Sequence, residues 1–409
     1  MISPRFFQDT VAFILSGGQG EQLFPLTKNR AKPAVPFGGH YRIIDFVLSN
    51  CINSGMKRIF LLTQSKNHSL ERHLQQNWNI FSRRLGEFLL TVPPQFRMGN
   101  NWYQGSADAV FQNIYILQQL RPAHVLVLSG DHIYRMDYGR MIQAHLRTGA
   151  EVTVAAAEFD RSSADRMGVL ECDGEDRITH FEEKPRDPKP IPGRPEICLV
   201  NMGAYVFDTA ALVSAVCEDA RRESPHALGH GLPDLARRGK AFAYPFIDEN
   251  RKDVQYWRDV PTLDAYYSAS MDLVNVDPLL NLYDTSFPVH SAMLPYPPAK
   301  MIYGEGRPGP PGVAIDSLLS DGCIISGGRV ERSVLSPGVR VDTDALVQDS
   351  ILFDGVEVRP DAKIRKAIVD RGVKIPAGES VGYDLEQDAK RFTVTQDGVV
   401  VISENEHLS

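Results

Sequence analysis

The fold of the first half of the chain follows from one segment, Val11-Ala12-Phe13-Ile14-Leu15 with Ser16-Gly17-Gly18-Gln19-Gly20-Glu21-Gln22-Leu23 directly after it. Five apolar residues have the length of a buried strand, and a glycine-rich turn after it lets backbone N–H groups approach a phosphate or a base. A dinucleotide-binding fingerprint would need a third glycine at Leu23, and a P-loop would need Gly-Lys-Ser/Thr. The stretch therefore predicts a strand and a binding turn that belong to neither common motif.

Further strands and helices alternate on the carboxyl side of this turn, which predicts an α/β domain with a mostly parallel, doubly wound sheet. Ser54-Gly55 ends one helical pattern, and Ser106 is expected to cap a helix over Ala107–Leu120. Ligands of such sheets gather beyond the carboxyl ends of the strands. The predicted strands and final helix are Ile59–Thr63, Val125–Ser129, Val152–Ala156, Gly168–Glu171, Ile178–Glu182, Ala204–Phe207 and Thr262–Val274.

A proline-rich segment separates this domain from a repetitive one. Seven prolines between Pro288 and Pro311 predict a linker over 288–312, which leaves a first domain of 1–287 and a second of 313–409. In the second domain aliphatic residues recur at steps of five or six, and three steps sum to 17. A three-sided coil with one inward corner per side explains this period, whereas a β-sandwich would alternate without a fixed period. The predicted corners are Leu318, Ile324, Val330, Leu335, Val341, Val347, Leu352, Val358, Ile364, Val369 and Ile375.

Composition excludes several classes of function. The chain has 409 residues, a net charge of -7 and 23% charged residues, so it has no overall basic field for a nucleic acid or an anionic membrane. Its five scattered cysteines form no C-x-x-C pair, and no segment is typical of a signal peptide or a membrane span. These features favour a cytoplasmic protein with no nucleic-acid or membrane partner.

Long motifs in a fixed order resemble the sugar-nucleotide pyrophosphorylases, and within that family the chain looks like the bacterial ADP-glucose pyrophosphorylases. The resemblance covers nearly the whole chain and implies a Rossmann-like nucleotidyltransferase domain followed by a left-handed parallel β-helix of hexapeptide repeats. The motifs are Arg30-Ala31-Lys32-Pro33-Ala34-Val35-Pro36-Phe37-Gly38-Gly39, Tyr41-Arg42-Ile43-Ile44-Asp45-Phe46, Gly130-Asp131-His132-Ile133-Tyr134, Glu183-Lys184-Pro185 and Tyr256-Trp257-Arg258-Asp259-Val260.

The resemblance implies a nucleotidyltransferase that moves AMP from ATP to α-D-glucose 1-phosphate and releases pyrophosphate, the first step of bacterial glycogen or α-glucan synthesis. It gives catalytic roles to Asp131, Lys32 and Asp259, with both aspartates binding Mg²⁺, which prefers carboxylate oxygens together with water and phosphate. Each aspartate, taken alone, is more typical of a cap or a turn, and it is the Gly-Asp-His and Trp-Arg-Asp motifs that favour the metal-binding role. His132, beside Asp131, is expected to be structural.

The same resemblance assigns the remaining site residues to three groups. One member of the sugar group, Tyr103, has an alternative interpretation as a residue of the core. The groups are Gly17, Gly18, Gly20, Gln22 and Lys32 for the nucleotide; Tyr103, Gly168, Glu183, Lys184 and Asn201 for glucose 1-phosphate; and Arg30, Arg42 and Arg365 for an allosteric effector.

Several positions depart from the family pattern. Gln22 and Gln104 stand where arginines are usual, and the segment 225–231 reads Pro-His-Ala-Leu-Gly-His-Gly instead of Ser-His-Asp-Phe-Gly-Lys-Asp. These departures leave an alternative open, a catalytically weakened regulatory paralogue or subunit of the same enzyme. The other departures are Asn201, Pro261, Asn29, Pro36 and Gln119.

Two further expectations concern assembly and relatives. The resemblance implies a homotetramer, or a heteromer with a paralogue. A bifunctional uridylyl- and acetyltransferase also joins such a domain to a β-helix, but about three and a half predicted coils and the Arg30–Gly39 motif favour the adenylyl branch.

Overall fold

The computed structural model describes residues 9–404 except 19, 96–101, 224–225, 251, 253, 292–294 and 306–308. Its first domain is built around one nine-stranded sheet and several short strand pairs. The strands of this domain are β1 (Thr10–Ser16), β2 (Pro36–Phe37), β3 (Tyr41–Arg42), β4 (Arg58–Thr63), β5 (Phe88–Val92), β6 (His124–Ser129), β7 (His132–Tyr134), β8 (Val152–Asp160), β9 (Gly168–Cys172), β10 (Ile178–Glu183), β11 (Ile197–Asp208), β12 (Ala241–Pro245) and β13 (Trp257–Asp259).

Helices cover both faces of this sheet, with a buried apolar cluster on each side. Single turns of 3₁₀-helix occur at Glu21–Leu23, Lys32–Ala34, Arg83–Leu85, Arg161–Ser163, Leu228–Gly231 and Asp272–Val274. The α-helices are α1 (Ile43–Asn53), α2 (His68–Asn77), α3 (Ser106–Phe111), α4 (Ile114–Leu120), α5 (Tyr138–Thr148), α6 (Thr209–Asp219), α7 (Leu232–Arg237), α8 (Leu263–Met271) and, in the second domain, α9 (Leu385–Asp388).

The large sheet is mixed, with four neighbouring parallel strands at one end and, at the other, antiparallel pairs together with the parallel pair of β8 and β12. The order is β10-β9-β11-β6-β1-β4-β5, in which β6, β1, β4 and β5 are parallel, and β8 pairs with β11 and β12. The twelve-residue β11 runs antiparallel to β6, β8 and β9, with a register shift between Asn201 and Tyr205. The α/β prediction is confirmed, and β1, the strand that ends at the glycine-rich turn, lies among the parallel strands.

The predicted helix over Ala107–Leu120 is two helices, and its cap prediction is wrong. Gly105 holds the N-cap position, while the Ser106 hydroxyl accepts a hydrogen bond from the Leu228 N–H at 3.0 Å. Buried Asn113 separates α3 from α4, and its amide donates to the Ala109 carbonyl at 2.8 Å. Asparagine side chains compete with the backbone in this way, so the helix breaks there.

The second domain is a three-faced parallel β-helix. Its faces follow the orders β14-β17-β20-β23-β26, β15-β18-β21-β24-β27 and β16-β19-β22-β25-β29-β28, in which only the β28–β29 pair is antiparallel. Because β14 pairs with β17, the coils begin inside the segment predicted as a linker. The strands are β14 (Lys300–Ile302), β15 (Val313–Ile315), β16 (Leu318–Leu319), β17 (Ile324–Ser326), β18 (Arg329–Glu331), β19 (Val334–Leu335), β20 (Arg340–Val341), β21 (Leu346–Gln348), β22 (Ile351–Leu352), β23 (Glu357–Val358), β24 (Lys363–Arg365), β25 (Ala367–Val369), β26 (Lys374–Ile375), β27 (Ser380–Val381), β28 (Thr393–Val394) and β29 (Val400–Ile402).

The predicted inward corners are confirmed from Val330 onward, but the first two are one residue too early. Leu319 and Ile325 lie opposite Leu335 and Val341, a spacing of 16 instead of 17. The corner at Gly327-Gly328 is one residue shorter than its successors, because Ile325 and Val330 are five positions apart whereas Val341 and Val347 are six apart. The backbone passes close to the next coil there: a Cβ at position 328 would lie 2.6 Å from the Asp342 carbonyl oxygen, and glycine permits this approach.

One outer face of the β-helix packs on the first domain. Val334, Ile351, Ile368 and Val401 stand opposite one another on successive strands and point away from the coil interior into a shared apolar cluster. Tyr266 of α8 meets Phe353 edge to face at 6.5 Å in that cluster. The two domains therefore share a core.

Across the described residues, no helix has the length and apolarity needed to cross a bilayer.

Candidate active site

The glycine-rich turn after β1 forms one wall of a cavity of about 450 Å³. Gly17, Gly18, Gly20, Gln22 and Lys32 all line it, as predicted from the sequence, together with Leu15, Ser16, Glu21, Pro33 and Asp131. Gln19 lies outside the described residues. This cavity lies at the carboxyl end of β1, the edge where ligands of parallel sheets bind.

Two of these glycines fit close surroundings. Gly20 has φ +70°, a left-handed conformation that favours glycine, and its carbonyl accepts a hydrogen bond from the Thr27 hydroxyl. A Cβ at position 17 would come 2.9 Å from the amide oxygen at the end of the flexible Gln64 side chain. Glycine is therefore favoured by the backbone conformation at position 20 and by close packing at position 17.

Lys32 joins the two predicted metal-binding aspartates. Its Nζ lies 2.8 Å from Asp131 Oδ2 and 3.4 Å from Asp259 Oδ1. Asp131 follows β6 and also accepts a hydrogen bond from the Ser129 hydroxyl at 2.6 Å, while Asp259 ends β13 and pairs in register with His132. Three residues from distant parts of the chain thus meet at one point beside the glycine-rich cavity.

The charges at this point stabilise one another. Burial lowers the pKa of Lys32, but Asp131 and Asp259 outweigh this effect and raise the pKa above its ordinary value. Burial acts to raise the pKa of Asp131, but Lys32 and then His132 hold it well below its usual range. At neutral pH the site therefore presents an ammonium group between two carboxylates.

The His132 ring lies close to both carboxylates. Its Nδ1 lies 3.1 Å from the Met202 carbonyl oxygen, and its Nε2 lies 3.7 Å from Asp131 Oδ1 and 3.9 Å from Asp259 Oδ1. The ring meets Trp257 edge to face. This placement agrees with the structural role expected for His132.

Three predicted sugar-site residues lie side by side in register on neighbouring antiparallel strands. Glu183 on β10 pairs with Gly168 on β9, and Asn201 on β11 follows Val200, which pairs with Val169. A Cβ at position 168 would lie 2.7 Å from the Phe181 ring and 3.0 Å from Glu183 Oε2. Gly168 therefore leaves the Glu183 carboxylate accessible from the strand.

Glu183 and Lys184 combine an acceptor with a cation at the end of β10. Both residues are exposed, but partial desolvation of the Glu183 carboxyl by the surrounding protein raises its pKa against the opposing charges of Lys184 and His230. Asn201 donates to the Tyr205 hydroxyl at 2.6 Å and accepts from the Gly203 N–H at 2.9 Å. These groups can bind hydroxyls and a phosphate on one side of the sheet.

Tyr103 lies in the core beside the glycine-rich turn. It is 8% exposed, and its hydroxyl accepts a hydrogen bond from the Asn113 amide at 2.9 Å. A Cβ at position 17 would lie 3.6 Å from its ring. Its packing matches the alternative stated from the sequence, and its role toward a sugar stays a prediction.

Of the divergent segment 225–231, Pro225 lies outside the described residues, and residues 226–231 pack against the predicted sugar site. His226 Nδ1 and His230 Nδ1 each lie 2.9 Å from a different oxygen of buried Asp219. Position 229 leaves room for the Phe181 ring, which a Cβ there would approach to 2.7 Å. Asp219 and Ser129 are supports that the sequence reasoning missed, because neither belongs to a motif.

The predicted effector arginines occupy structural positions. Arg30 is 4% exposed and contacts Asp370 Oδ1 at 2.8 Å, and Arg42 contacts Asp354 Oδ2 at 3.1 Å, so both join the two domains. Arg365 lies on the β-helix with its guanidinium 4.6 Å from the centre of the Tyr383 ring. An anion that binds Arg30 or Arg42 would have to compete with a carboxylate of the β-helix.

Comparison with known proteins agrees with both domains. Residues 11–276 match the nucleotidyl transferase family, and residues 297–402 match the GlmU-like C-terminal hexapeptide family. A glucose-1-phosphate adenylyltransferase of Rhodopirellula baltica is 51% identical over 98% of this chain and 91% of its own length.

Two further relatives are also similar over nearly the full length of both chains. The glucose-1-phosphate adenylyltransferase of Koribacter versatilis is 46% identical over 98% of this chain and 96% of its own length. Glucose-1-phosphate adenylyltransferase 2 of Vibrio cholerae is 46% identical over 98% of this chain and 99% of its own length. These names give no support to the regulatory alternative or to the bifunctional one. Full-length similarity at this level, together with the glycine-rich turn and the Lys32 cluster, places the chain in the nucleotidyl transferase family, among the glucose-1-phosphate adenylyltransferases.

Proposed function

We propose that this chain transfers AMP from ATP to α-D-glucose 1-phosphate. A phosphate oxygen of the sugar attacks the α-phosphorus of ATP, the bond from that phosphorus to the bridging oxygen breaks, and pyrophosphate leaves with ADP-glucose as the product. No proton is gained or lost in the bond exchange itself. The reaction therefore needs alignment and charge neutralisation more than acid–base chemistry.

The observation that carries this proposal is the position of Lys32. Its ammonium lies at the mouth of the glycine-rich cavity and contacts the two aspartates that end β13 and follow β6. Phosphates bound by the backbone of the turn would meet this charge at the carboxyl edge of the sheet. Lys32 can thus stabilise the negative charge that grows on the leaving pyrophosphate.

The two aspartates fit a magnesium ion. Their carboxylates converge on one point, are 28% and 31% exposed, and offer the hard oxygen ligands that Mg²⁺ takes alongside water and phosphate. Bound there, Mg²⁺ would neutralise phosphate charge. Ser129 and His132 keep the Asp131 carboxylate in place.

The sugar phosphate is assigned to the adjacent half of the sheet. Gly203, on β11, separates the sugar-site strands from the residues around Asp131. It has φ +70°, and a Cβ there would come 3.3 Å from Ser129 Cβ and 3.4 Å from the His132 ring. Asn201 and Glu183 supply acceptors for sugar hydroxyls, and Lys184 supplies a cation for the phosphate. A sugar phosphate bound there would direct its attacking oxygen toward the Asp131 side of the sheet.

The wider role follows the same proposal. We infer that the product feeds glycogen or a related α-glucan, that an effector acts through the contacts between the domains, and that copies associate as a homotetramer. Exposed apolar side chains on the first coil, Met301 at 54% and Tyr303 at 71%, support association. These features belong to an allosteric, Mg²⁺-dependent cytoplasmic enzyme.

The deciding experiment is a pyrophosphate-release assay on the purified chain with glucose 1-phosphate and Mg²⁺. ATP, UTP, dTTP and GTP are offered separately, and the sugar nucleotide is identified by chromatography. We expect turnover with ATP and ADP-glucose as the product. Absence of turnover with all four nucleotides, or a preference for UTP, would contradict the proposal.

A further inference from the structure

Two histidines and an aspartate meet at the amino end of β6, on the edge of the sheet opposite the active site. His124 begins β6 and pairs in register with Asp208, the last residue of β11. His145 on α5 lies beneath them. From His124 to Ser129 the strand spans roughly 17 Å at about 3.3 Å per residue, so this histidine cluster (His124, His145 and Asp208) is separate from Asp131.

The distances within the histidine cluster suit a small divalent cation. Asp208 Oδ1 lies 3.1 Å from His124 Nδ1 and 3.4 Å from His145 Nε2, and one ligand atom from each residue lies within 4.8 Å of the others. Ligands at about 2.1 Å from a tetrahedral zinc ion are themselves about 3.4 Å apart. The two measured edges are therefore close to those of a zinc site.

His145 is buried and oriented by a contact on its second ring nitrogen. It is 1% exposed, and its Nδ1 lies 2.9 Å from the Thr153 hydroxyl. When Nδ1 donates its hydrogen to Thr153, Nε2 presents its lone pair to the cluster. A partner on the second ring nitrogen is how proteins commonly orient a metal-binding histidine.

The Asp208 side chain makes no capping hydrogen bond to the helix that follows it. Asp208 is the N-cap residue of α6, where an aspartate ordinarily accepts from a backbone N–H of the first turn. The carboxylate turns toward the two imidazoles instead and is 43% exposed. This exposure gives an ion a path from solvent and leaves a fourth position for water.

We propose that His124, His145 and Asp208 form a second metal site, selective for zinc-class divalent ions over Mg²⁺. Two imidazoles and one carboxylate match the ligand preference of Zn²⁺ and Co²⁺, whereas Mg²⁺ prefers oxygen ligands. The ion ties the start of β6 to α5 and to the junction of β11 with α6. It therefore stabilises the sheet far from the reacting atoms.

The test uses Co²⁺ as a spectroscopic probe on the full-length chain after chelation and removal of Mg²⁺. We expect one Co²⁺ per chain with the visible absorption of a tetrahedral ion, displaced by Zn²⁺. The spectrum should persist in the Asp131→Asn/Asp259→Asn double variant, which lacks the active-site carboxylates. His124→Asn and Asp208→Asn should each weaken Co²⁺ binding at least tenfold.

Thermal unfolding gives a second readout and checks that the variants fold. Zn²⁺ should raise the melting temperature of the wild-type chain but not that of His124→Asn. Absence of a tetrahedral spectrum in the wild type, or its survival in both His124→Asn and Asp208→Asn, would show that the cluster is only a hydrogen-bonded brace. Because the readout is ion binding, either result is independent of whether ADP-glucose is made.

Discussion

Lys32 Nζ lies 2.8 Å from Asp131 Oδ2, although 99 positions separate the two residues in the chain. The 3₁₀ turn that begins at Lys32 and the loop after β6 bring them together at the carboxyl edge of the sheet. The contact keeps both groups charged at neutral pH. A phosphate and a divalent cation that enter this site therefore meet an ammonium and a carboxylate already fixed in position.

Gln22 tests whether a missing charge limits the rate. It is exposed and lines the glycine-rich cavity. A preorganised donor aimed at developing charge is worth about 2.7–4 kcal/mol, or roughly 10²–10³ in rate. A charged donor makes a stronger hydrogen bond than a neutral amide. We expect Gln22→Arg to raise kcat for ADP-glucose formation, and Gln22→Leu, which keeps the bulk without a donor, to lower it. An inactive wild type that gains turnover only as Gln22→Arg would support the regulatory alternative.

Gly168→Ala should separate the two substrates. The added methyl group would clash with the Phe181 ring at 2.7 Å and crowd Glu183 Oε2 at 3.0 Å. We expect the KM for glucose 1-phosphate to rise at least tenfold while the KM for ATP changes little. Gly174→Ala is the matched control, because a Cβ there would contact nothing within 4 Å. Equal rises in both KM values would contradict the placement of the sugar phosphate.

The dependence on pH should report Glu183. Partial desolvation raises the pKa of its carboxyl above the ordinary value of about 4.3, so the carboxyl becomes protonated at a higher pH than a free one. The protonated form loses an acceptor for sugar hydroxyls, and the KM for glucose 1-phosphate should rise on the acid side. Glu183→Gln should abolish this dependence apart from the titration of the sugar phosphate itself. An unchanged profile in the variant would exclude Glu183 from the sugar site.

The interface between the domains should contribute strongly to stability. Ile351 is 2% exposed in the shared cluster, and truncation of a buried isoleucine to alanine costs about 2–5 kcal/mol. We therefore expect Ile351→Ala to lower the melting temperature of the whole chain in one cooperative transition. Lys374→Ala, on an exposed outer position of another face, should change it little. Two separate transitions in the wild type would mean that the domains unfold independently.

The sequence predicts most strands and the coil period because both depend on local patterns. The four strands predicted in the first part of the sheet and the corners from Val330 onward are confirmed. The first two corners are misplaced because Ile324 and Ile325 are equally aliphatic, and only the short Gly327-Gly328 corner selects Ile325. The break at Asn113 depends on a side chain that bonds back to its own helix.

The face that carries the interface was readable in the sequence but was missed. Before the inward corner, one face has Val334, Ile351 and Ile368, whereas another has Arg340, Glu357 and Lys374. An unbroken series of aliphatic residues at the outward position of one face indicates a partner surface. By contrast, the contacts of Lys32 with Asp131 and Asp259 are a long-range result of folding. The family motifs assign the three residues to one site, but neither these motifs nor local patterns predict that they touch.

The most direct test of the catalytic centre is the initial rate of ADP-glucose formation in Asp131→Asn with saturating ATP, glucose 1-phosphate and Mg²⁺. Asp361→Asn serves as control, since Asp361 is an exposed β-helix residue with φ +62° that asparagine tolerates. We predict at least a hundredfold loss in Asp131→Asn, an unchanged circular dichroism spectrum, and a normal rate in the control. A wild-type rate in folded Asp131→Asn would contradict the assignment of the Lys32, Asp131 and Asp259 cluster as the catalytic centre.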